Sequence, residues 1–147
     1  MRVSNRGSSG KLLHIAFSVC ILIILALFIG NIVLILMALS LNNSVCRQAT
    51  EDAAHVYASG ANRQDMQVAV FHAINKGSAG GFFISHPTLT ELRFYTEIGS
   101  HKQMLLVRTT TSVRLPAPFL VFFAYPVEDG RLLLRSHCEI TLNKRDT

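Results

Sequence analysis

Six histidines (14, 55, 72, 86, 101 and 137) and three cysteines (20, 46 and 138) are the side chains best suited to bind a metal or attack an electrophile. None falls into the H-x-H, H-E-x-x-H or paired-cysteine spacing that brings several ligands to one ion. A serine nucleophile would need a G-x-S-x-G elbow with a histidine and an acid, and no such elbow occurs. Gly7-Ser8-Ser9-Gly10-Lys11 has the composition of a phosphate loop without its G-x-x-x-x-G-K-[ST] spacing or a preceding strand. Glu128 and Asp129, followed by Gly130, read as a turn. The sequence therefore predicts a protein that is not an enzyme, with no catalytic residue, no cofactor and no metal.

The chemistry that remains is that of contact. Asn31, beside Gly30, is an amide inside a long apolar stretch, where its polar atoms need a partner. A neighbouring helix or its own helix backbone would serve. Val45, Ala49, Ala53, Val56 and Gly60 recur at helical spacing and form a stripe of mostly small side chains. Such a stripe admits close approach, by the chain's own sheet or by a partner helix. Cys46 and Cys138 would pair as a disulfide in an oxidising compartment, and two separate buried thiols is the alternative. Residues 119–125 form the most apolar run outside the long stretch, suited to a core or to a docking patch.

The element that must position these groups is residues 12–41, thirty positions without Asp, Glu, Lys or Arg. About 20 apolar residues cross a ~30 Å hydrocarbon layer, so this stretch is long enough to span a membrane as a helix. Arg2, Arg6 and Lys11 precede it with no acid, while Glu51 and Asp52 follow it, which by the positive-inside rule leaves the N-terminus in the cytoplasm. The net charge of +5 is largely this leader, and the near-neutral remainder argues against nucleic acid as a partner. A cleaved secretory signal is the rival reading: its apolar region would be about 7–15 residues, and Ala38-Leu39-Ser40 offers small residues for cleavage.

After the break in apolarity at Asn42, Asn43 and Ser44, the stripe predicts that the helix runs on to about Ser59. Asn62 with Asp65 three residues on is a capping pair for a second helix, whose buried face is Met66, Ala69, Val70, Ala73 and Ile74. Gly77 is the expected left-handed stop, a flexible loop continues to Gly81, and Pro87 marks a turn. The period then falls to 2. Leu92, Phe94, Thr96 and Ile98 define one strand, Leu105 to Val113 a second, and Leu132 to Leu142 a third, with Cys138 facing in. The proline-interrupted residues 115–126 read as an edge or crossover.

With the segment 41–61, which includes Arg47-Gln48-Ala49 and Asp52-Ala53-Ala54, following a basic leader and a long apolar helix, the chain resembles the TadE/TadG-like family of minor pseudopilins and pilus-assembly proteins of the tight-adherence pilus. The resemblance implies a location in the bacterial inner membrane, with other pilus-assembly or pseudopilin subunits as partners. It also implies a prepilin-peptidase site between Gly10 and Lys11. Processed members usually carry a Glu five residues into the mature helix; here that position is Ile15, no acid precedes Glu51, and the family's common helix proline is missing. A permanently anchored assembly component fits these residues better than a filament subunit.

The resulting expectation is a pilin-like α+β protein: a leader (1–11), a transmembrane helix (12–41), and an extracytoplasmic domain (42–147) with a second helix and three to four antiparallel strands. Its candidate contact residues are Gly30, Asn31, Ala49 and Ala53. The alternative is a membrane-tethered extracytoplasmic binding or sensing module.

Overall fold

The computed structural model describes residues 6–77, 81–96, 102–118, 127–128 and 131–142. Residues 78–80 of the expected loop, the end of the first strand including Ile98, the apolar run 119–125, and Asp129-Gly130 lie outside the described residues.

Helix α1 (Arg6–Ala58) is continuous through the apolar stretch and beyond it. Residues 10–29 are exposed on every face. At ~1.5 Å per residue they make a rod about 30 Å long. Burial begins at Asn31 and recurs at 35, 38, 42, 45, 46, 49, 50 and 53. This is a single stripe with alternating spacings of mainly three and four, as one helical face requires. The domain thus closes on α1 well before residue 42, where loss of apolarity suggests its boundary. Among the described residues α1 alone is long and apolar enough to cross a membrane.

α1 ends at Gly60, whose φ of 86° is left-handed. Its N–H donates to Tyr57 O at 2.9 Å and that of Ala61 to Val56 O at 3.3 Å, which closes the last turn of the helix. The chain then reverses into α2 (Arg63–Lys76), started by the reciprocal Asn62–Asp65 capping box that the sequence predicts. Met66, Val70, Ala73 and Ile74 face α1. The expected left-handed conformation at Gly77 is not found: φ is −76° and ψ 0°, right-handed. Space explains this glycine, because a Cβ there would stand 3.0 Å from Val45 Cγ2.

The sheet contains β1 (Thr88–Thr96), β2 (Gln103–Arg114), the two-residue β3 (Val127–Glu128) and β4 (Arg131–Leu142), all pairings antiparallel, in the order β1-β2-β4-β3. A bulge at Thr90, between the pairs Leu89↔Thr109 and Glu91↔Arg108, shifts β1 by one residue. Leu105, Val107, Leu132, Leu134 and Leu142 point to the helices, while Arg108, Arg135 and Glu139 face outward, as the alternation demands. On that outer face Glu91 lies between Arg93 and Arg108, an exposed network that adds little stability.

Two apolar clusters fill the space between α1 and the sheet. The one farther from the N-terminus holds Val45, Cys46, Ala49 and Ala53 with Met66, Val70, Leu105, Val107 and Leu142. The nearer one holds Ile35 and Ala38 with Val113, Leu115, Leu132 and Leu134. Ala49 and Ala53 have no exposed surface, so larger side chains would have to displace neighbours. Ala49→Leu is expected to destabilise the domain by about 1–3 kcal/mol through overpacking, measured as a lower denaturation midpoint in detergent.

Candidate functional site

The polar groups of this fold converge on the seam between α1 and the sheet. Asn42, wholly buried, lies between the two apolar clusters. Its amide nitrogen donates to the carbonyls of Thr109 and Leu134, both at 3.3 Å, and its oxygen accepts the Thr111 hydroxyl at 3.1 Å. Ser136 of β4 donates to Oδ1 of Asn43. Asparagine is a poor helix former. Two in succession inside α1 are retained where their amides bridge helix and strands. The sequence marks them only as a break in apolarity. The available signal was position: Asn42 is seven residues after Ile35 and eleven after Asn31, on one face of the helix.

Asn31 sits at the lower end of the same seam. It has no exposed surface, and its amide nitrogen donates to Ala117 O at 2.8 Å, so its partner is the chain's own segment after β2. Its Oδ1 is buried with no hydrogen-bond partner among the described residues. Gly30 beside it has open space where a Cβ would stand. Ala49 and Ala53 do meet another helix, and that helix is α2 of this chain, because they share a core with Met66, Val70 and Ala73. Of these four positions, only Gly30 retains a face toward the outside. Gly10 and Lys11 are exposed in the first turns of α1, with nothing within 4 Å of a Cβ at Gly10.

Cys46 is buried and Cys138 half-buried, and neither is bonded in a disulfide. The Cys46 thiol donates to Val107 O at 3.3 Å, and Val107 is directly opposite Cys138 in the β2–β4 register. Burial, followed by the influence of the neighbouring Cys138, pushes the Cys46 thiol up to about 12.

Comparison with protein-family models, curated proteins and solved structures gives no match. Among the described residues no three His, Cys, Asp or Glu side chains converge to hold a metal. One groove of about 200 Å³ is lined by Phe82, Phe83, Ser85, Ser112, Arg114 and Arg131. Arg114 and Arg131 stand opposite one another across β2 and β4, and Glu128 faces Arg131 in the β3 register. A second groove, between the helices, has Asp52, His55, Asp65 and His72 on its walls.

The seam has a measurable consequence. Asn42→Ala leaves two strand carbonyls and the Thr111 hydroxyl without their buried partner, an expected loss of about 1–3 kcal/mol in a denaturant titration, whereas exposed Gln48→Ala should leave the midpoint unchanged.

Proposed function

We propose that this chain is a non-enzymatic, single-pass membrane protein that assists the assembly or anchoring of a type IV-like filament of the tight-adherence kind. The N-terminus lies in the cytoplasm and the α+β domain outside the bacterial inner membrane. The observation that carries this reading is the division of α1: residues 10–29, exposed all round, match the thickness of a hydrocarbon layer, and the sheet begins to cover the helix only at Asn31. A rod that is lipid-facing below and domain-clasped above is the arrangement expected of a pilin-like subunit. In this reading the span covers about residues 10–30, shorter than hydropathy suggests, a choice supported by the non-helical backbone at Ala117, which would be poorly tolerated against lipid.

Partner subunits have a surface to meet. Ile32, Val33, Leu36 and Met37 are 40–60% exposed on the side of α1 away from the sheet, directly above the proposed span. They are apolar, helical and continuous with the lipid-facing rod, which suits contact with a like helix. Retention of residues 1–10 follows from the missing acid near Ile15: the chain acts as a fixed component rather than a processed subunit.

The second reading, a membrane-tethered binding module, draws on the groove at Arg114 and Arg131, whose two guanidiniums beside exposed Phe82 would suit an anionic ligand with an apolar part.

Two measurements test the first reading. After incubation of the full chain with prepilin peptidase, intact mass is expected to be unchanged, and loss of residues 1–10 would make the protein a processed filament subunit. A photocrosslinker at Leu36 or Met37 is expected to link the chain to other single-helix pilus-assembly subunits in membranes; recovery of lipid adducts alone would overturn the assembly role.

A further inference from the structure

We infer that Cys46 and Cys138 form a disulfide that latches α1 to β4, written by a disulfide-bearing oxidant outside the cytoplasm. Three features place these residues together. Cys46 lies on the buried stripe of α1. Cys138 lies on the helix-facing side of β4, in the sequence of alternate residues that includes Leu134, Ser136, Ile140 and Leu142. Val107 joins them, accepting the Cys46 thiol through its carbonyl while standing opposite Cys138. The third cysteine, Cys20, is on the exposed lower half of α1, more than twenty residues along the helix from Cys46 and outside this contact.

The order of the reaction follows from access. Cys138 is half-buried and reachable; Cys46 is enclosed, and its thiol resists ionisation. Cys138 as thiolate attacks a sulfur of the oxidant's disulfide, whose S–S bond breaks, and the departing sulfur takes up a proton. Cys46, held against the mixed disulfide, then attacks the Cys138 sulfur, expels the second oxidant thiol and gives up its own proton. Two electrons and two protons pass from the cysteine pair to the oxidant, which ends as two thiols. Proximity within the seam offsets the weak acidity of Cys46 in the second step.

The bond closes a loop of roughly ninety residues, one that holds α2 and β1–β3, so it restricts the unfolded chain strongly. It also lies just above the Asn42 contacts. With it closed, β4 cannot peel from the rod even if the hydrogen bonds of Asn42 break.

The bridge itself stands on the geometry; its formation in cells rests in addition on the domain lying outside. The experiment separates the two. Full chain purified in detergent is treated with oxidised glutathione, denatured, and its free thiols counted and mapped by non-reducing peptide mass. One free thiol, at Cys20, and a 46–138 peptide are expected, with three thiols after reduction and a higher melting temperature for the oxidised form. Cys20→Ser should leave the 46–138 peptide unchanged, while Cys138→Ser should abolish it and any glutathione capture by Cys46. Glutathione held on Cys138 without the bridge, or a bridge to Cys20, would overturn the proposal. In cells trapped with an alkylating agent the same single free thiol is expected. Three free thiols there, from a chain that bridges readily once purified, would overturn the placement of the domain outside and leave the latch standing.

Discussion

The amide of Asn42 is the contact on which the arrangement of this molecule depends. A helix laid on a sheet through apolar side chains alone can shift by a turn at small cost, because aliphatic contacts are not directional. A buried amide that donates to carbonyls of two strands and accepts a hydroxyl from one of them has a single satisfactory position. It sets the height of the sheet on α1, and with it the length of helix left bare below. Shifting the sheet toward the N-terminus by one turn would bury this amide without partners and shorten the exposed rod by about 5 Å.

Around that contact the core divides by side-chain size. Above it, alanines at 49 and 53 and the glycine at 77 let α2 approach α1 closely, and Met66 and Val70 fill the gap between the helices and β2. Below it, Ile35 and Ala38 meet Val113, Leu132 and Leu134, and among the described residues no second helix covers the far side of α1. That asymmetry explains why Ile32, Val33, Leu36 and Met37 are left exposed. One helix serves as an exposed apolar rod, as half of a helical layer and as the wall of a core, with its surroundings changing along its length.

Local features of the fold were legible in the residues. The Asn62–Asp65 pair started a helix because its two reciprocal hydrogen bonds are made within four residues, and the three long strands followed their period of 2 because one face is wet. Gly77 shows the limit of such reasoning. Glycine permits a left-handed conformation and also permits close approach, and only the position of Val45, more than thirty residues earlier, shows that the second applies. The candidate contact residues show a similar limit: the composition at Asn31, Ala49 and Ala53 suits a partner helix and the chain's own elements alike, and within this chain Ala117 O meets Asn31 while α2 packs against the two alanines.

By itself the sequence determined that this chain has one apolar helix of spanning length, a capped second helix and an antiparallel sheet with an inward Cys138, since each depends on neighbours a few residues away. It could not say where along α1 the domain begins. Between residues 31 and 41 nearly every position is apolar, so a face meeting lipid and a face meeting a sheet have the same composition, and hydropathy cannot separate them. The tertiary structure decided it by bringing strand carbonyls to Asn42 and a loop carbonyl to Asn31, from residues at least 67 positions away along the chain. Long-range hydrogen bonds of this kind are fixed by the closing of the whole fold, and no local pattern encodes them.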